Sequence, residues 1–149
     1  MVAACCFPAC WEAAYPQAVP SQANIDASAQ RRLQETVREA QRQRRIEEQL
    51  RNLTPALDPD QLAGSGGPVL ARKALAALAR LKDEGIPPDE ALSRATRTGK
   101  IEITKAARPC SYLRSLFLQN SSALTPELLD KLAAGEDPAP NLIFPPYRS

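Results

Sequence analysis

The sequence predicts an all-α protein: a small three-helix central unit, a longer helix before it, a short helix after it, and irregular tails. Three observations carry this. Apolar residues recur at three- and four-residue steps through most of the chain. Glycine stops and proline starts punctuate those runs where helices end and begin. The alternating stretch Ile101-Glu102-Ile103 is too short to build a sheet by itself.

Residues 1–23 read as an irregular, apolar, cysteine-rich arm, because Pro8, Pro16 and Pro20 interrupt any long helix there. Trp11 and Tyr15 are its natural anchors on a partner. Cys5, Cys6 and Cys10 crowd together without the paired spacing of a zinc site or a disulfide framework, so free thiols and no metal are expected. No export leader and no lipid anchoring through Cys5 or Cys6 are expected either.

Residues 24–63 read as a charged helix from Asn24 to Leu53 followed by a short helical turn. Asn24 or Asp26 can cap the helix, and Arg38 and Arg42 stand at favourable spacings from Glu35 and Glu39. Its apolar stripe is thin and rotates around the axis, so a long coiled coil is not predicted. The end near Ile46, Leu50, Leu53 and Leu57 is expected to dock on the central unit. The arginine-rich part, with Arg38, Arg42 and Arg45, is expected to meet a partner. Thr54-Pro55 and Asp58-Pro59 start the following turn. Gly64-Ser65-Gly66-Gly67 reads as a flexible hinge and lacks the spacing of a phosphate-binding loop.

The core domain spans residues 68–135. A first helix runs from about Val69 to Glu84, with Leu70, Ala74, Leu78 and Leu81 on one stripe. Gly85 closes it, Ile86 supplies the apolar contact beyond it, and Pro88 opens a second helix to about Arg97. Thr98-Gly99-Lys100 turns the chain. Pro109 is expected to end any helix begun at Thr104 and to start a third, with Leu113, Leu116 and Phe117 inward. Asn120 and Ser121-Ser122 stop it. A last short helix is capped by Thr125, opened by Pro126 and closed by Gly135. Residues 136–149 form an extended tail whose Phe144 and Tyr147 lie either in a partner's groove or on the domain's own core.

Fourteen prolines and seven aromatics argue that less than all of the 149 residues is compact. A centre of 52 residues, Pro68–Gln119, is too slight to stand alone, so flanking segments must brace it. Net charge is +2, with the basic excess in the helices and both ends mildly acidic. Between Ser93 and Leu118 six cations (Arg94, Arg97, Lys100, Lys105, Arg108, Arg114) stand against Glu102 alone.

The chain has no histidine, which removes histidine general bases, histidine-ligated zinc and Ser-His-Asp chemistry. Paired carboxylates sit at helix ends, where dipole and solvation explain them. Cys110, near Arg108 and at an expected helix start, is the thiol of the folded part, with no base beside it in sequence. No enzyme activity and no cofactor are expected. The reading is a soluble, cytoplasmic, non-enzymatic interaction or assembly subunit that meets a protein partner or its own copy. The alternative is a small nucleic-acid-binding protein that lays the six cations on phosphates.

Overall fold

The computed structural model describes residues 2–137 and 141–148, with side chains from Asp26 onward. Its helices are α1 (Val2–Leu53), α2 (Pro59–Ala63), α3 (Gly67–Asp83), α4 (Pro88–Thr98), α5 (Ile103–Asn120) and α6 (Pro126–Ala133). Short 3-10 turns at Thr54–Leu57 and Ser121–Ala123 join α1 to α2 and α5 to α6. No strand occurs among the described residues, so the fold is all-α. None of the helices, over the described residues, is long and apolar enough to cross a membrane.

The chain divides into two units, Met1–Arg42 and Gln43–Ser149. The first belongs to α1. That helix begins at Val2, upstream of the expected start at Asn24, and its backbone continues through Pro8, Pro16 and Pro20. Each proline removes one N–H from the helical ladder, but none lies next to another, so the turns between them keep their bonds. The side chains of Trp11, Tyr15, Cys5, Cys6 and Cys10 lie outside the described residues. From Asp26 to Gln41 every residue is exposed, Leu33 and Val37 included.

The second unit is organised around α3. All six residues from Ala74 to Ala79 are buried, so the middle of α3 is covered on every side. A single apolar stripe was expected; the alanines at 74, 76, 77 and 79 extend burial around the helix because they let neighbours approach. The charged residues of α3 sit toward its ends, where Arg72 and Arg80 reach Asp137 and Asp130 near α6 at 3.6 and 2.8 Å.

The bracing expected of the flanking segments is present. Ile46, Leu50 and Leu53 of α1, with Leu57 and Leu62, join the same buried cluster as Leu75, Leu78 and Leu81. Full burial of each such leucine is worth about 1.5–3 kcal/mol. Arg45 donates to Glu84 at 2.8 Å, tying the end of α1 to the end of α3. That hydrogen bond and the carboxylate's charge raise the Arg45 pKa above its ordinary value.

Apart from the start of α1, helix ends follow the punctuation with two exceptions. Gly85 (φ 89°) and Gly135 (φ 79°) take the left-handed conformation at the ends of α3 and α6. Ile86 N–H then bonds Leu81 C=O, and Glu136 N–H bonds Lys131 C=O. At the end of α4 the left-handed residue is Lys100 (φ 53°), one beyond Gly99. Glycine is needed at 99 for space, since a Cβ there would stand 2.5 Å from the Thr54 Cγ2 methyl. The second exception is Pro109, which sits inside a continuous α5 and does not begin a new helix. Its ring is fully buried, and the carbonyl it leaves without a helical donor belongs to Lys105, an exposed residue that water can reach. Ile101 and Glu102 are the extended link, and Ile103 is already helical.

The turn 64–67 is a packed corner. Gly67 N–H bonds Gly64 C=O at 3.0 Å, and a Cβ on Gly67 would stand 1.9 Å from the Leu62 carbonyl oxygen. The tail crosses the core and is clipped to α5. The buried Asn120 carboxamide accepts from Ile143 N–H at 2.7 Å and donates to Ile143 C=O at 2.8 Å, while also donating to Leu116 C=O. Tyr112 O–H donates to Pro145 C=O at 2.6 Å, and its ring meets Tyr147 edge-on at 5.3 Å.

Two outcomes are expected. Asn120→Ala should lower unfolding free energy in urea by about 1–3 kcal/mol, since it removes a buried carboxamide that bonds Leu116 C=O and both backbone groups of Ile143. Gly67→Ala should destabilise severely while Gly66→Ala, where a Cβ would meet nothing within 4 Å, should be nearly neutral; equal melting temperatures for the two variants would contradict the packed corner.

Candidate interaction surface

Five of the six cations line three different depressions, and Arg94 and Arg114 are ion-paired. Arg94 is paired with Glu90 one helical turn earlier at 2.6 Å, and Arg114 reaches Asp89 at 3.4 Å. Both are exposed pairs of small energetic value, but they divide the charge between cations and carboxylates. Lys100 and Lys105 line an open cleft of about 810 Å³ together with Asp58, Asp60 and Glu102. Three carboxylates against Lys100, Lys105 and Arg51 make that cleft charge-balanced, a poor cradle for a polyphosphate. Arg108 lies on another patch with Tyr112, Tyr147 and Arg148. Arg97 lines a separate groove with Arg114.

The residues expected to contact a partner are distributed as well. Arg38 is exposed on α1, and Arg42 lies 3.6 Å from Glu39. Arg45 is engaged by Glu84 inside the second unit. Phe144 and Tyr147 pack against the core of their own domain, so a partner could use them only by displacing the tail. The sequence left that alternative open.

The groove between α4 and α5 is the apolar feature of this surface. Leu92, Thr96, Ala106, Ala107 and Cys110 line it, its volume is about 380 Å³, and Ile103 stands beside it with 82% of its surface exposed. The sequence explains its shape. Alanines at 106 and 107, two residues ahead of the buried Pro109, keep α5 low where α4 passes. Thr96 turns its hydroxyl back to Leu92 C=O at 2.7 Å, which satisfies it and leaves its methyl to the groove. Ile103 belongs to the alternating stretch 101–103, and nothing in its spacing announces that it opens a helix with its side chain outward.

Cys110 lies mid-helix in α5 and not at a helix start as expected, so it has no helix N-terminus to stabilise a thiolate. Burial pushes its pKa up, against the smaller opposing effects of the Thr96 hydroxyl, 3.9 Å away, and the Arg114 charge. Among the described residues no group of three Cys, Asp or Glu side chains converges as a metal site would require. Asn120 is the residue that sequence reasoning missed. An asparagine at a helix end reads as a stop, and its grip on a segment 23 residues later leaves no local signal.

Comparisons with protein-family models, curated proteins and solved structures each returned no match.

The raised Cys110 pKa means that the thiol stays protonated to higher pH than a free cysteine. Alkylation of Cys110 in the native protein, followed by mass spectrometry of its peptide, should show a pH midpoint above that of the unfolded chain. A midpoint at or below the unfolded value would contradict the burial argument.

Proposed function

We propose that the protein is a non-enzymatic interaction or assembly subunit. The observation that carries this reading is Ile103, a large apolar side chain left 82% exposed beside an apolar groove. Leaving such a residue in water forgoes about 1.5–3 kcal/mol that burial would provide. Leu33 and Val37, exposed one helical turn apart on α1, add a second apolar spot of the same kind. The dispersal of the six cations supports the same reading over phosphate binding, which favours an unbroken cationic face.

Size-exclusion chromatography with light scattering, at low and high salt and with and without a generic duplex DNA, tests the proposal. The expected result is a mass above the 16.2 kDa of one chain that persists at high salt and ignores DNA. A monomer that takes up DNA with an affinity falling steeply with salt would replace the reading with nucleic-acid binding through Arg97, Lys100, Lys105 and Arg108. A monomer that ignores DNA would count against both.

A further inference from the structure

We infer that the α4–α5 groove receives the apolar N-terminal segment, residues 2–23, of a second copy of this chain. The inference rests on the assembly reading and names its site and its occupant.

The groove has a small-residue, apolar floor at Leu92, Ala106, Ala107 and Cys110. Its rim carries Arg97 and Arg114 against Asp89, a net positive charge. Pairing two such faces brings two net-positive rims together, which disfavours that arrangement against an acidic occupant. The occupant is therefore apolar and either neutral or acidic.

Three stretches of this chain carry net negative charge: residues 1–30, 52–67 and 120–149. The second is built into the folded unit through Ala56, Leu57 and Leu62, which belong to its core. The third packs on that core through Leu132, Leu142 and Phe144, and Asn120 clips it down. The first remains. Residues 1–30 contain no lysine or arginine, and their charge comes from Glu12 and Asp26, of which Glu12 lies within the segment 2–23. The segment 2–23 is helical, and Phe7, Trp11 and Tyr15 recur in it at every fourth residue. That spacing is the anchor pattern of a helix laid into a groove. Three of the chain's seven aromatics fall in this series, and large aromatic side chains are the usual dominant contributors to such contacts. Ile103 then acts as the wall that the docked helix covers.

The test uses the full chain. Light scattering across a dilution series measures self-association for the natural sequence and for Ile103→Asp and Trp11→Ala. Alkylation of Cys110, mapped by mass spectrometry, reports cover on the groove floor. Ile103 is exposed in the single chain, so its replacement should leave the helical circular dichroism unchanged; Trp11→Ala is a second, independent variant on the other partner. Each variant should weaken association by about tenfold or more. Cys110 should be shielded in the concentrated natural protein, and should react at the dilute-limit rate in both variants. Undiminished association of Ile103→Asp with Cys110 still shielded would overturn the groove as the receptor and leave the assembly reading intact. Undiminished association of Trp11→Ala would overturn residues 2–23 as the occupant. A natural protein that is monomeric at every dilution would end both the inference and the assembly reading.

Discussion

A helix covered around its whole circumference has to be walled in by its neighbours, and α3 imposes that requirement on this protein. Six consecutive residues from Ala74 to Ala79 are out of solvent, and one short helix cannot hide them all. α3 therefore touches the 3-10 turn after α1 and each of α2, α4, α5 and α6. The alanine-rich middle is what makes so many neighbours possible, since small side chains let backbones come close without voids. The same constraint explains the glycines at the corners. Gly67 and Gly99 stand where another atom occupies the place of a Cβ, and at 99 that demand outweighs the usual placing of glycine at the left-handed position, which Lys100 takes.

A core assembled this way is completed from outside the central helices. Ile46, Leu50 and Leu53 arrive from α1 and Leu142 and Phe144 from the tail, and both contributions are fixed by polar contacts at their margins. The Arg45–Glu84 pair is exposed on the arginine side and adds little energy, but it sets where α1 meets the end of α3. The Asn120 carboxamide does more. Itself buried, it bonds both backbone groups of Ile143, so the tail is held by its main chain at that point as well as by the packing of Leu142 and Phe144. Phe144 and Tyr147 consequently complete this domain.

The α4–α5 groove shares Leu92 with the core. α4 turns Ala91, Leu92 and Ala95 inward and α5 turns Leu113, Leu116 and Phe117 inward, and the groove lies between the two helices. Charge along the sequence 94–114 looks continuous because it is counted along the chain. Folding spreads it over a groove, a cleft and a patch, and four carboxylates (Asp58, Asp60, Asp89 and Glu90) come from other segments to meet it.

The all-α class, the existence of each helix and most helix ends were determined by the sequence alone. Those features depend on local chemistry: Thr125 accepting from Leu128 N–H, Pro88 and Pro126 at first turns, Gly85 and Gly135 at last turns. The tertiary structure decided everything that depends on two distant segments meeting. Pro109 stays inside α5 because its ring is buried by neighbours, and Gly99 yields the left-handed place to Lys100 because Thr54 crowds it. Asn120 serves the tail because Ile143 returns to it across 23 residues, a partnership with no periodicity and no motif to announce it. The α4–α5 groove is of this second kind too, since it belongs to the space between two helices and neither stretch of sequence contains it alone.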